Sequence, residues 1–481
     1  MLLARRLFCG TTVPVTIRIM SLENTTPAAV TMDKITALCK RRGFVFQGSD
    51  IYGGLKGAWD LGPLGVALNN RIKSEWWKMF VEGREDMYGL DAAILMNAKV
   101  WEASGHVAGF VDPLVEDTET GERFRADHLL KDNGIDAEGL SLEAIDALIL
   151  EKGIKSPKGN PLSKARTFNM MFETRIGATA GPEGQVYLRP ETAQGIFVNF
   201  KNVVDSMSPK LPFGIGQIGK AFRNEIAPRE FLFRVREFEQ MDIEYFVRPE
   251  EWEAKFEEWR QAIWAWFDHL GLARENVQEF EVPELDLAHY SKRTIDFEYN
   301  YPGKGFDELA GFAYRTDFDL RAHMAGSGVS MEYVEGDGTK LVPHVLEPSF
   351  GVGRALTAVL CEAYREDEVN GEVRTYLALP THLAPYRVCV SPLLKNKPEL
   401  VDKARGVFQL LKKEFGNVAW DDNGNIGKRY RRQDEIGTPS CVVVDFETLE
   451  GETADTITVR NRDTGAQERV AISELVAYIK G

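Results

Sequence analysis

Residues 219–246 constrain this chain more than any other stretch. They read Gly219-Lys-Ala-Phe-Arg-Asn-Glu225, then Ile-Ala-Pro-Arg-Glu-Phe-Leu, then Phe233-Arg-Val-Arg-Glu-Phe238, then Glu-Gln-Met-Asp-Ile-Glu-Tyr-Phe246. The pattern predicts strand, loop, strand. Arg223 and Glu225 stand two apart and so share a face of the first strand, as Arg234 and Arg236 do in the second. Pro228 cannot sit in a central ladder and marks the loop. Such a hairpin lays a carboxylate and several guanidinium groups on one floor. Guanidinium forks suit phosphate. A carboxylate beside them can accept from an exocyclic amine, and Phe238 can stack on a flat base. A surface ladder of cross-strand ion pairs fits the hairpin taken alone equally well.

Composition narrows the setting. A chain of 481 residues suggests two to four domains. Hydrophobic content of 44% and charged content of 27% are ordinary for a soluble globular protein. No run of 18 apolar residues occurs, so no membrane span is expected. The net charge of −15 argues against indiscriminate nucleic-acid binding but leaves room for a local basic patch. The five cysteines, Cys9, Cys39, Cys361, Cys389 and Cys441, form no CxxC pair. Neither a disulfide framework nor a cysteine-rich zinc site is indicated, which fits a reducing, cytoplasmic compartment. Residues 1–22 carry Arg5, Arg6 and Arg18 and no acid. Two readings stand for them: a mitochondrial presequence, or an upstream extension with folding beginning near Met32.

Along the chain, residues 33–42 read as a short basic helix and 43–54 as a turn-rich entry. After Trp59-Asp-Leu-Gly-Pro-Leu-Gly65 a helix follows through Trp76-Trp77 to about Val81, with apolar positions at Val66, Ile72, Trp76 and Phe80. Residues 90–99 read as a buried strand. Residues 112–165 are polar and rich in turn signals, an insertion with a small helix near 141–152. The run Gly-Ile-Gly-Gln-Ile-Gly-Lys-Ala at 214–221 matches GxGxxG and nearly matches a P-loop. Both need a strand before and a helix after, whereas a hairpin strand follows here, so both are rejected. Residues 251–270 place Trp252, Phe256, Trp259, Ile263, Trp266 and Leu270 on one helical face, a core stripe. Asp317, Asp319 and His323 read as a polar strand end rather than a metal cluster. Residues 366–380 read as a linker. From Tyr386 the order strand, helix, strand, helix, strand, strand, helix makes an α/β unit of ordinary domain size. Within it, Gly427-Lys-Arg-Tyr-Arg-Arg432 is either an RNA contact or a solvated helix face.

The run Phe-Arg-Asn-Glu, loop, Arg-Val-Arg-Glu-Phe resembles motif 2 of the class II aminoacyl-tRNA synthetases. Glu347-Pro-Ser-Phe-Gly-Val-Gly-Arg354, closing a strand ahead of an apolar helix, resembles motif 3. Its glycines permit close approach, and a helix N-terminus faces an anion. The region around Pro63 resembles motif 1, which builds the dimer interface in that family. From about Gly43 onward the chain resembles the homodimeric glycyl-tRNA synthetase family.

The resemblance implies an α+β catalytic domain, an antiparallel sheet flanked by helices, over 33–375. It implies an anticodon-binding α/β domain over 381–481, with residues 1–32 as an extension. It implies ATP, glycine, tRNA(Gly) and a homodimer as partners, Mg2+ with ATP, no resident protein-held metal, and no membrane. Arg223 and Arg354 carry catalysis in this reading. The nucleotide is met by Arg223, Asn224, Glu225, Phe233, Arg234, Val235, Arg236, Glu237, Phe238, Glu308, Leu309, Gly351, Val352, Gly353 and Arg354. The glycine pocket is lined by Glu191, Phe238, Glu239, Gln240, Met241, Asp242, Glu347, Pro348, Ser349, Phe350 and Gly351, with Arg125 closing it. Many relatives have Glu where this chain has Asp242.

Overall fold

A computed structural model describes residues 30–137, 139–177, 184–228, 231–369 and 371–481. The readings of residues 1–22 lie outside them. Among the described residues the largest sheet has seven strands. They are β1 (Met87–Gly89), β2 (Phe213–Phe222), β3 (Glu237–Val247), β4 (Val277–Glu281), β5 (Arg293–Tyr301), β6 (Gly305–Thr316) and β7 (His344–Gly351). The order across the sheet is β4-β5-β6-β7-β3-β2-β1. Every neighbour is antiparallel except β1, which pairs parallel to β2 at the edge.

One face of the sheet is apolar. On β3 the alternation sends Met241, Ile243 and Tyr245 into the main core and Gln240, Asp242 and Glu244 to the other face. Helix Trp252–Leu270 covers the apolar face with Phe256, Trp259, Ile263 and Trp266, all fully buried. The tryptophan stripe is core, as its spacing predicts. Helix Val352–Ala363 follows β7 and buries Ala355, Leu356, Val359 and Leu360 in the same core. The glycines of 214–221 serve strand packing rather than phosphate. A Cβ on Gly214 would stand 2.3 Å from Met87 Sδ, and one on Gly219 would stand 2.3 Å from Arg189 Nη2.

Three expectations change. The strands of the 219–246 hairpin end at Phe222 and restart at Glu237, so Arg223 to Arg236 form a loop. Its backbone is held from outside: Arg236 N–H donates to Gly57 O at 3.0 Å and Asn224 N–H to Met170 O at 2.7 Å. Residues 90–99 are not a strand. Asn97 instead caps a helix, Ala98–Ala103, its side chain accepting from Lys99 N–H at 3.0 Å. Residues 366–380 are not a bare linker but mostly a hairpin, Tyr364–Val369 with Glu372–Leu377. Gly371 at φ 79° supplies the left-handed turn.

The insertion is a three-stranded sheet, Val111–Glu116 between Arg123–Arg125 and Arg166–Asn169, with helix Leu142–Lys152. Asp117 knots its first turn, accepting from Ser156 Oγ at 2.7 Å, Asn160 Nδ2, and the backbone of Glu119 and Thr120.

The C-terminal residues build a second sheet with its own core. Its order is Val418–Trp420, Val388–Pro392, Ser440–Val444, Thr456–Asn461, Gln467–Ala471, the last strand having been absent from the expected order. Helix Ile426–Glu435 carries the basic run. Most of that run is engaged internally. Arg429 is buried and donates to the carbonyls of Pro392, Asp422 and Gly424. Arg432 clamps Asp421 at 2.7 Å, and Arg431 reaches Glu372 at 3.3 Å. Lys428 is the exposed cation of the run. Among the described residues no helix is long and apolar enough to cross a membrane.

Candidate active site

A cavity of about 370 Å³ opens over the polar face of the sheet, where β3, β7, β6 and β5 meet the 223–236 loop. One end is basic. Arg223, Arg234 and Arg354 line it together with Glu225, Phe233, Val235, Phe238 and Glu308. Arg223 is fixed before any ligand arrives. Its guanidinium lies between the rings of Phe110 and Phe238, 5.4 and 5.3 Å from their centroids, and its Nε donates to Pro190 O at 3.1 Å. Arg354 lies 4.5 Å over Phe233 and pairs with Glu308 at 2.8 Å. The charge of Arg354 holds the Glu308 carboxyl below its ordinary range.

The other end is acidic. Glu191, Gln240, Glu347 and Ser349 line it, with Tyr290 and Gly311, while Glu239 at its rim turns its carboxylate to Lys73 at 2.7 Å and Asn69 at 2.8 Å. Arg315 organises this end from beneath. Its Nη1 meets both Glu347 oxygens at 2.8 Å, its Nε and Nη2 meet Asp319 at 2.8 Å, and its guanidinium stacks 3.8 Å from the Tyr290 ring. Glu191 accepts from Gln194 Nε2 at 3.1 Å and lies 3.3 Å from His106 Nε2. Burial alone would raise the Glu191 carboxyl, but His106, Arg315 and Gln194 together outweigh it and hold the group well below its usual range. Burial, added to by Glu191 and Asp242, outweighs the Arg315 fork at Glu347 and pushes that carboxyl up to about 7. Burial likewise lifts Asp242 to about 6, against hydrogen bonds from Thr192 and Ser349. Deeper still, Glu244 is fully buried, and neither of its oxygens has a partner among the described residues. Burial and then Glu347 push its carboxyl far up, which favours the protonated, neutral form.

The cavity thus brings together most of the residues expected from sequence. Gly351 and Gly353 line it as well. Others stand apart. Leu309, Met241, Val352 and Phe350 lie in the core beneath the sheet, and Pro348 is buried. Glu237 is exposed and paired with Lys220. Arg236 turns away from the cavity and donates to Lys56 O and Glu225 O. Asn224 contributes its backbone to the loop anchor. Arg125 pairs with Asp112 at 3.1 Å and with Asp127 rather than lining the cavity. Asp242 sits just behind the lining.

Sequence reasoning missed Arg315, His106, Gln194, Tyr290, Thr192 and Asp296 as parts of the site. Arg315 stands at an irregularity where β6 slips against β7 between Tyr314 and Thr316. Asp319 and His323, read from sequence as a satisfied strand end, lie instead on helix Phe318–Ser327, and they do have partners: Asp319 has Arg315 and Gln194, and His323 Nε2 lies 2.8 Å from Gln194 Oε1.

Residues 179–363 match a family model described as tRNA synthetase class II core domain (G, H, P, S and T), and residues 387–481 match one described as anticodon binding domain. The antiparallel sheet, its arginine-lined cavity and this match define a class II aminoacyl-tRNA synthetase. The chain is 47% identical to the glycine–tRNA ligase of Deinococcus radiodurans, over 94% of this chain and 99% of that one. It is 49% identical to that of Caldanaerobacter subterraneus subsp. tengcongensis, over 94% and 99%, and 45% identical to that of Thermus thermophilus, over 94% and 99%. The chain belongs to the glycine–tRNA ligase family. In fold it is similar to Giardia lamblia prolyl-tRNA synthetase in complex with prolyl-adenylate, with a TM-score of 0.65 at 16% identity, covering 94% of this chain and 76% of that one.

Proposed function

We infer that the cavity joins glycine to ATP as glycyl-adenylate, and that the chain then passes the glycyl group to the 3′ end of tRNA(Gly). One observation carries this. A single cavity places an acidic ledge, Glu191 and Glu347, beside an arginine floor, Arg223, Arg234 and Arg354. An ammonium suits the first and a polyphosphate the second. Glycine carboxylate attacks the α-phosphorus, an oxygen–phosphorus bond forms, and the bond to the β-phosphate oxygen breaks as pyrophosphate leaves. The step needs no general base. It needs positioning and stabilisation of concentrated negative charge.

In this reading Arg223 meets the α-phosphate and the substrate carboxylate. Glu225 accepts from the adenine amine, and Phe238 stacks on the ring. Arg234 and Arg354 hold phosphates. Arg236, tied to Lys56 and Glu225, acts by shaping the loop. Ser349 stands beside the substrate Cα. Two carboxylates on adjacent strands, Asp296 and Glu308, line the cavity where phosphates would pass. Burial, then Glu308 and Glu298, push Asp296 up to about 7, against the charge of Arg354. No group of three ligating side chains occurs among the described residues. A Mg2+ that arrives with ATP and takes its remaining oxygens from phosphates fits that donor set. When bound, it neutralises charge on the leaving pyrophosphate.

The reading divides the chain into a catalytic unit over 33–375 and an anticodon-reading unit over 381–481. It takes the protein as half of a homodimer, with the contact near helix Pro63–Trp77, ahead of which Ile51 and Tyr52 stand almost fully exposed. ATP–pyrophosphate exchange tested with each proteinogenic amino acid should respond to glycine. Faster exchange with any other amino acid would overturn the assignment.

A further inference from the structure

One row of the sheet crosses five strands at the acidic end of the cavity. Ser349 on β7 stands in register with Asp242 on β3 and with Gly311 on β6. Asp242 stands opposite Gln217 on β2, and Gly311 opposite Asp296 on β5. Side-chain length therefore falls from Asp242 through Ser349 to nothing at Gly311. Ser349, Gly311 and Asp296 line the cavity. A Cβ on Gly311 would meet nothing nearer than Asp296 Oδ1 at 3.9 Å, so the space above it is open to a substrate.

Asp242 faces this space only through Ser349. It is 1% exposed, and each of its oxygens is taken by a hydroxyl. Oδ1 accepts from Ser349 Oγ at 2.7 Å. Oδ2 accepts a hydrogen bond from Thr192 Oγ1, itself fully buried. Thr192 directly follows Glu191 in the chain, so the same turn that presents the ammonium ligand anchors Asp242.

We propose that Thr192 and Asp242 form a brace that locks the Ser349 side chain, and that this brace, not contact between Asp242 and substrate, sets the rejection of amino acids larger than glycine. The proposal rests on Ser349 standing beside the substrate Cα. A serine has three staggered wells for Oγ. A hydroxyl donated to a buried carboxylate is among the stronger hydrogen bonds. With Oδ2 held by Thr192, the carboxylate cannot swing, and Oδ1 keeps Ser349 in one well. Glycine presents only a hydrogen to that wall and tolerates a shift of a few tenths of an ångström. Alanine presents a methyl, and a methyl pressed into a fixed wall is disfavoured roughly tenfold to a hundredfold. Loosening the wall returns part of that factor to alanine and leaves glycine nearly unaffected.

The test measures kcat and KM for glycine and for alanine in pyrophosphate exchange. Thr192→Val keeps the shape and removes the hydroxyl. It should raise alanine kcat/KM relative to glycine by about tenfold. Thr192→Ser, which restores the donor, should return the ratio to the wild-type value, a rescue that simple loss of packing would not show. Asp242→Asn, which keeps the shape but removes the charge that strengthens both hydroxyl donations, should move the ratio the same way and stands in should the valine variant fail to fold. Ser349→Ala tests the wall itself. A changed ratio in Ser349→Ala with unchanged ratios in Thr192→Val and Asp242→Asn would overturn the brace and leave the wall. An unchanged ratio in Ser349→Ala would remove the wall and the brace with it. A glycine KM raised a hundredfold by Asp242→Asn, beside a native Thr192→Val, would place Asp242 on the substrate and refute the brace.

Discussion

Arg223 is held in place before any substrate binds, so its replacement should report on the transition state more than on folding. The guanidinium is sandwiched between Phe110 and Phe238 and tied at Nε to Pro190 O, 3.1 Å away. Each cation–π contact is worth about 0.5–2 kcal/mol depending on desolvation, and the neutral hydrogen bond about 1 kcal/mol. These contacts preorganise the group, and its unengaged nitrogens are left for the α-phosphate. Removing one preorganised donor from developing oxyanion charge costs about 2.7–4 kcal/mol, or roughly 10²–10³ in kcat. Arg223→Ala should therefore lose that factor in glycine-dependent pyrophosphate exchange. Arg223→Lys keeps the charge but not the planar fork or the double stack, and should recover only about tenfold of the loss. The melting point should fall as the two ring contacts and the Pro190 hydrogen bond are lost, and the loss of activity should fall on kcat when measured at a temperature where both proteins remain folded. Near-native kcat in the alanine variant would refute the role. So would a rise in the KM for ATP alone, because that is the signature of uniform binding.

The acidic end makes two further predictions. The Glu347 carboxyl, raised to about 7, must be ionised to meet an ammonium, which stays charged throughout this range. Acidification therefore removes the binding form, and the KM for glycine should rise about tenfold per pH unit below 7 while the KM for ATP holds; a glycine KM flat between pH 7 and 5.5 would contradict it. Glu244 predicts a stability effect of opposite sense to the usual acid limb. Its folded-state value is raised by burial and Glu347, so the native state keeps a proton that the unfolded chain releases. Its favourable contribution is complete below the ordinary glutamate range and is lost as pH rises toward the folded value. Glu244→Gln should melt above wild type at pH 8 and lose that advantage near pH 4; a variant that melts lower at pH 8 would refute the neutral-acid assignment.

How much of this was legible in the sequence depended on how local the cause was. The helix Trp252–Leu270 and most elements from Val388 onward follow from periodicity within a few residues, but strand Gln467–Ala471 and the short helix Phe446–Leu449 were not legible in the pattern. The 219–246 hairpin was legible as a hairpin but not in its strand ends. Alternation continues through Arg223-Asn-Glu225 and Phe233-Arg-Val-Arg236, yet the ladder stops at Phe222 and Glu237. The reason lies far off in the chain. Gly57 O takes the Arg236 N–H, and Gly57 packs so close to Pro228 that a Cβ there would stand 2.3 Å from its ring. The same contact turns Arg236 from the cavity to Lys56.

Arg315 shows the limit most clearly. In sequence it is one arginine in a polar strand end, two residues before Asp317. Its reach to Glu347 depends on the slip of β6 against β7 at Tyr314 and Thr316, with Thr316 at φ 57°. A strand in regular register sends successive side chains to opposite faces, so no two-residue rule applies across such a slip. Motif residues were legible because their spacing is set by one strand or one turn. The groups that orient them come from other elements: Arg315 from a slipped strand, Gln194 from a short helix, His106 from beyond another. Local pattern can name what touches the substrate. What holds those residues still belongs to the assembled sheet.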